Sequence, residues 1–342
     1  MSVYLSACNT DTMERGGVAV IQAHGFRRWR ALVAVGLLVV LLVGTISGCS
    51  PQQAASKPSG KQDVVEEAVT VRDSAGRQVE VKRTPSRVIS LAPSNTEMVF
   101  ALGAGTLLVG VDEYSDYPEE AKAIAKVGGF SNPNPELIAS LKPDLLLVDD
   151  IHRSILDQLV KIGCPVVLLA ASTVEEVENN IRVVGQVLRR SAQAEQLVRD
   201  MESRLSKVRE KVKAIPSEKR VKVFYEVYSD PIMTVGPRTL IHHVIVAAGG
   251  RNVAEDAATD YPQYSPEAVV QKNPDVIVFP AFHGSESLTV EKLRARPGWS
   301  SIKAVSQDRV YPIDANVISR PGPRIVDAVE SMARLLYPEL FK

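Results

Sequence analysis

The sequence predicts an α/β protein of two lobes with mostly parallel sheets, joined by one long α-helix. Three observations carry this. Short apolar strands alternate with helical segments in two separate stretches of the chain. Between them, residues 173–214 contain no Pro and one Gly, with apolar residues stepping by three and four. A Pro-Glu helix start followed by a Pro-Asp strand start occurs once in each stretch. The chain has 342 residues, 45% hydrophobic and 23% charged, enough for two medium domains of ordinary globular composition.

The N-terminus reads as an address. Arg27-Arg28-Trp29-Arg30 is basic, residues 31–43 are apolar, and Gly44-Thr45-Ile46-Ser47-Gly48-Cys49 follows. A basic block, a short apolar run and small residues make a secretory signal peptide over 1–48. The run is shorter than the about 20 apolar residues a membrane span needs. Ile46-Ser47-Gly48-Cys49 resembles the lipobox of bacterial lipoproteins, which implies acylation of Cys49 and an extracytoplasmic chain tethered to the cell membrane. Two or three acyl chains anchor stably where one would not. Met13 is a candidate start. Residues 49–68 are the lipidated Cys and a flexible tether rich in Pro, Gln, Ser and Lys. Without residues 1–48 the chain keeps 36 basic and 38 acidic residues, a net charge of −2 that gives no sign of nucleic acid as a partner. Cys8 leaves with the signal and Cys49 takes lipid, so Cys164 is left alone and no intrachain disulfide is expected.

The N-terminal lobe is expected over 69–172. Val69-Thr70-Val71 and Val79-Glu80-Val81 flank a turn and read as a β-hairpin. Residues 87–91, 107–111, 145–148 and 166–169 read as buried strands. Ser94 followed by Glu97 has capping-box spacing for a helix to Leu102. The connecting helix is expected over 173–215, with Thr173, Glu175 and Glu176 as its start and Ile215-Pro216 as its stop. As one element of about 40 residues it would be about 60 Å long. The C-terminal lobe, 216–342, restarts with a strand at 221–227 and a helix at 240–248. Strands at 276–279 and 309–313 and an amphipathic helix at 324–336 close it.

The repeat is Pro135-Glu136 leading to Pro143-Asp144 and Pro266-Glu267 leading, at the same spacing of seven after the Glu, to Pro274-Asp275. Pro at a first helical position with an acid in the first turn suits a helix N-terminus. Capping is therefore one reading of Glu136 and Glu267. The other is docking, with one carboxylate on each of two similar lobes facing a two-fold partner.

The chain carries no motif for catalysis. No HExxH, CxxC, Gly-x-Ser-x-Gly, P-loop or acid-followed Gly-x-Gly-x-x-Gly occurs. His152, His242, His243 and His283 are the His residues beyond the signal, and none has metal-ligand spacing. An enzyme such as a chelatase or hydrolase is disfavoured, and no cofactor or metal is expected.

Arg87 to Glu97, Tyr114-Ser115-Asp116-Tyr117-Pro118, Val127-Gly128-Gly129-Phe130, the two Pro-Glu helices and Arg320-Pro321-Gly322-Pro323-Arg324 occur in that order. Together they resemble the ABC-importer substrate-binding proteins for cobalamin and ferric siderophores, with the cobalamin branch the nearest. The resemblance implies a monomer with a ligand cleft between the lobes and capture without chemistry. It also implies docking on a permease dimer through Glu136 and Glu267. By the same resemblance, Tyr114, Phe130 and Tyr261 are the cleft aromatics, with Phe and Tyr where Trp is typical. Tyr225, Tyr228 and Tyr264 are candidates for the same wall or for the core. Arg320 either meets an anionic ligand or caps the last helix. Ser94 and Asn95 either line the cleft or cap their helix. Corrinoids present broad apolar faces edged by amides, which aromatic walls and Tyr hydroxyls suit. The expected ligand is therefore a corrinoid, cobalamin, with an iron chelate as the alternative. Haem would want an axial residue such as Met233 or His283, and a ferric siderophore would want Arg residues such as Arg320 and Arg251.

Overall fold

A computed structural model of the protein describes residues 67–281 and 288–342. The signal segment, Cys49 and nearly all of the tether lie outside the described residues, as does His283. The described residues form one compact unit.

The unit opens with the expected hairpin, β1 (Val69–Arg72) antiparallel to β2 (Gln78–Val81). Its turn is held by Asp73, whose Oδ1 accepts the N–H groups of Ala75 and Arg77, and by Gly76 at φ 77°. The first lobe then builds β3 (Val88–Ser90), α1 (Pro93–Ala101) and β4 (Leu108–Val111). The short pair β5 (Gly128–Gly129) and β6 (Asn132–Pro133) leads to α2 (Pro135–Ser140) and β7 (Leu145–Val148). Helix α3 (Leu156–Val160) and β8 (Val166–Leu168) complete it. The sheet order is β4-β3-β7-β8, all parallel.

The second lobe repeats that plan. It contains β9 (Lys222–Tyr225), the small hairpin β10 (Tyr228–Ser229) and β11 (Ile232–Met233), α6 (Leu240–Ala247) and β12 (Arg251–Asn252). Then come α7 (Pro266–Lys272), β13 (Val276–Ala281), α8 (Val290–Arg294), α9 (Lys303–Ser306), β14 (Val310–Asp314), α10 (Ala315–Ile318) and α11 (Ile325–Leu336). Its sheet order, β12-β9-β13-β14, is the first sheet's order with each strand replaced by its counterpart, again all parallel. The repeat extends to single atoms. Asp144 accepts the N–H of Arg87 ahead of β3, and Asp275 accepts the N–H of Lys222 at the start of β9.

The strands alternate between two cores, as their period of two requires. Leu145 and Leu147 of β7 and Val276 and Val278 of β13 belong to a central core that both lobes share. Leu146 and Val148 face the first lobe's own core, and Ile277 and Phe279 face the second lobe's. Both strands are buried on both faces, which explains their uninterrupted apolar runs.

Two expectations need correction. The stretch 173–214 is two helices, α4 (Val174–Val187) and α5 (Ser191–Val212), not one. Arg189 takes the left-handed conformation at φ 56° and the chain reverses. At Gly185 a Cβ would stand 2.4 Å from the Cβ of Ala194, so the missing side chain lets the helices close on each other. Arg182 bridges to Glu195 and Glu202 across the pair. Helix α4 packs on β1 and α1 in the first lobe, and α5 packs on α6 and α11 in the second. Arg204 of α5 reaches Asp327 and Glu330 of α11 at 2.5 and 2.9 Å. Helix α4 also packs on α6, so the helix pair together connects the lobes, α5 being about 33 Å long from its 22 residues. The second correction concerns α1. Its N-cap is Ala92 with Pro93 at the first helical position, and no side chain caps it. Ser94 already lies inside the helix, and Glu97 is engaged elsewhere.

Candidate functional site

In open parallel sheets, ligand sites form beyond the carboxyl ends of the strands. The cavity between the lobes, about 670 Å³, lies there. The first lobe supplies Asp149 and Asp150 after β7, residues 170–172 after β8, the β1 turn and one face of α4. The second lobe supplies residues 238–240 at the start of α6, Asp260, Tyr261, Ser319 and Pro321.

Among the described residues two aromatics face this space, one from each lobe. Phe130 sits at the turn of the β5–β6 hairpin. Gly128 makes that turn possible, with φ at 110° and Asn134 N 2.8 Å from where a Cβ would be. The Phe130 ring is braced edge-on by His152 at 5.8 Å. His152 is buried, and desolvation lowers its pKa, so it stays neutral; its Nδ1 accepts the N–H of Asp149 at 3.0 Å. Tyr261 is half exposed on a loop whose neighbours are pinned to 232–236. Tyr264 N donates to Ile232 O, Thr234 N to Pro262 O and Gly236 N to Asp260 O. A Cβ at Gly236 would stand 2.0 Å from Thr259 O, so this approach requires glycine.

The rest of the described wall mixes apolar Ala170, Ala171, Val183, Leu240 and Pro321 with polar and charged residues. Asp73, Asp149, Asp150, Glu176 and Asp260 outnumber Arg72 and Arg238. Asp73 is paired with Arg77, and Asp260 with Arg238 at 2.8 Å. Ser74 and Asn180 are tied to each other and to residue 170, which fixes the floor.

Asp149 is the most perturbed of these acids. Burial pushes its carboxyl up to about 6 from 3.8. Between about pH 4 and pH 6 the folded protein therefore keeps a proton that the unfolded chain has released. Stability falls as pH rises through that window and is level above it. Asp149→Asn retains the oxygen that caps residue 151 and removes the titration. The variant is expected to gain up to about 3 kcal/mol over the parent at pH 7 and nothing at pH 3.5. Urea unfolding of both proteins across this range checks it; parallel curves would contradict it.

Of the sequence-predicted ligand residues, Phe130 and Tyr261 line the cavity among the described residues. Tyr225 is 1% exposed and belongs to the shared core, so it is corrected to a packing residue. Tyr264 packs on Phe224 with ring centres 6.3 Å apart. Tyr114 and Tyr228 are exposed away from the cavity lining. Ser94 and Asn95 are buried in the first turn of α1. Arg320 is not available to an anionic ligand, because it is ion-paired to Glu97 and Asp116. Glu136 and Glu267 are exposed at the first turns of α2 and α7, the helices that lead into β7 and β13. Asn134 and Ser265 cap those helices in the same way, accepting from Leu137 N and Ala268 N. Among the described residues neither carboxylate has an ion-pair partner. The Glu267 carboxyl is held below its usual range by its own backbone N–H and by Ser265.

Sequence reasoning missed Asp149, Asp150, Glu176, Asn179 and Asn180. A carboxylate pair directly after a buried strand was the available signal for the first two. The others were hidden by reading α4 as part of one connecting helix.

Comparisons with known proteins show the family and the fold. A family model described as periplasmic binding protein matches residues 88–317. An uncharacterized ABC transporter substrate-binding lipoprotein of Bacillus subtilis is 38% identical over 320 residues, 92% of this chain and 98% of the relative. The crystal structure of the periplasmic vitamin B12 binding protein of Vibrio cholerae superposes with a TM-score of 0.65 at 30% identity, covering 75% of this chain and 98% of that one. The apo periplasmic haem-binding protein of Roseiflexus sp. RS-1 gives 0.67 at 28% identity, covering 75% and 99%.

Proposed function

We propose a ligand for this chain from the premise that it belongs to the periplasmic binding protein family and serves as the extracytoplasmic substrate-binding component of an ABC transporter. It is not an enzyme. The proposed ligand is a corrinoid, held between the lobes and delivered unaltered.

The supporting observation is the lining of the cavity among the described residues: one aromatic from each lobe, set among apolar, hydrogen-bonding and acidic groups. A corrin presents flat apolar faces to Phe130 and Tyr261, and its rim of amides donates N–H groups to carboxylates and Asn oxygens. The volume lies in the range of sites that enclose organic ligands. Haem and carboxylate siderophores are anionic and would want unpaired cations, whereas Arg238 on the described wall is already paired with Asp260. Among the described lining residues Tyr261 alone offers an axial donor to haem iron. The vitamin B12 binding relative supports the same reading.

The chain is further proposed to be a monomer anchored through acylated Cys49, as the lipoprotein relative suggests. It would dock on a permease dimer through Glu136 and Glu267. Equilibrium dialysis of the fragment from Ser50 against cyanocobalamin, haemin and a ferric tricarboxylate siderophore tests the ligand class. Retention of cyanocobalamin alone is expected. Retention of haemin or the siderophore in preference would overturn the corrinoid reading.

A further inference from the structure

Glu97 of α1 is 3% exposed, and its two ion-pair partners both come from the other lobe. Arg324 grips it with a two-pronged fork: Nε donates to Oε2 at 2.8 Å and NH2 to Oε1 at 2.6 Å. Arg320 donates to the same Oε1 at 3.2 Å, to Asp116 Oδ1 at 2.7 Å and to the carbonyl of Tyr114 at 3.2 Å. The Arg324 guanidinium also lies 4.0 Å over the Tyr117 ring. Two guanidiniums from the second lobe thus meet two carboxylates, a carbonyl and an aromatic face from the first. Between them, a Cβ at Gly322 would stand 3.4 Å from Ser94 O, so the backbones of the lobes nearly touch.

The same segment also serves the cavity. Ser319 and Pro321 line it, while Arg320 between them turns to the first lobe. The clamp and one cavity wall therefore move together.

We propose that Glu97, with Arg320 and Arg324, is an inter-lobe clamp that holds the cavity at its working width before ligand arrives, whichever ligand that is. These are positioning residues, not ligand contacts. The charges balance within the cluster, so closing requires no anion from outside. Opening returns the charges to water, which offsets much of the lost pairing and keeps the open form accessible. Removing the Glu97 charge leaves two guanidiniums facing each other without a buried counter-charge, and parting the lobes relieves that. A preformed cavity binds without first paying for closure, so an opened population weakens apparent affinity in proportion to its fraction.

The test is hydrogen exchange on the ligand-free full-length chain, comparing the parent with Glu97→Gln. The hydrogen-bonded amides of the cavity walls at Asp149, Ile151, His152, Ser172 and Gly236, outside the clamp itself, are expected to exchange about tenfold faster in the variant. Strand amides of Leu145–Val148 and Val276–Ala281 are expected to keep their protection. Cavity amides unchanged from the parent would overturn the proposal. So would a uniform rise that includes both sheets, since that reports damage to the folds and not parting of the lobes. Should Glu97→Gln fail to fold, Asp116→Asn is read by the same criteria. Its side chain is 44% exposed and it removes only the outer arm of the clamp.

Discussion

Replacing Glu136 and Glu267 together with Ala is expected to abolish ligand uptake through the transporter while leaving ligand affinity within about twofold. Both side chains are exposed and lack ion-pair partners among the described residues. They stand at equivalent positions of two lobes with the same strand order. A carboxylate at a helix N-terminus contributes about 0.3–1 kcal/mol, and Asn134 and Ser265 continue to cap both helices, so the lobes remain folded. Neither residue lines the cavity. Exposed charges at an interface chiefly set orientation and association rate, and two such contacts on one rigid body reinforce each other. Each single variant should keep partial transport. Uptake by membranes carrying the permease, measured beside ligand affinity in solution, separates the two functions. Loss of affinity in the double variant, or full transport by it, would contradict the docking role.

The second large effect belongs to the cavity walls. Phe130→Ala and Tyr261→Ala are each expected to weaken cyanocobalamin binding by about thirtyfold, close to 2 kcal/mol, as truncated aromatic anchors commonly do. Tyr261→Phe keeps the flat face and should cost about 1 kcal/mol or less, the worth of one hydrogen bond. Tyr225→Phe, in the core that both lobes share, should leave affinity unchanged. Binding measured for the four variants checks the ranking. Equal losses at Tyr225 and Tyr261 would mean that the ligand does not sit against the proposed wall.

Much of the architecture is legible in the chain because two physical signals are strong. Strands buried on both faces need unbroken apolar runs, and 145–148 and 276–279 supply them. Helices that begin with Pro and an acid mark their own starts, which made the repeat of Pro135-Glu136 and Pro266-Glu267 visible. The break between α4 and α5 was not legible. Its residues, Leu188-Arg189-Arg190, hold neither Gly nor Pro, and the left-handed turn at Arg189 is stabilised by packing between helices distant from it in no single motif. Gly185 was the one local clue, and its meaning depends on Ala194 arriving opposite it.

The site divides the same way. Phe130 and Tyr261 stand on loops fixed by local backbone pairing, and both reach the cavity. Tyr225 sits in a strand, where only the fold decides which face it takes, and it faces the core. Arg320 and Glu97 are more than two hundred residues apart, so spacing could not reveal that each satisfies the other.

Calorimetric titration of the fragment from Ser50 with cyanocobalamin shows whether one corrinoid is captured between the lobes. One-to-one binding with sub-micromolar affinity, stronger than about −8 kcal/mol, is expected, with a negative heat-capacity change as apolar faces are buried. Absence of binding heat at several temperatures, with the fragment folded, would contradict it.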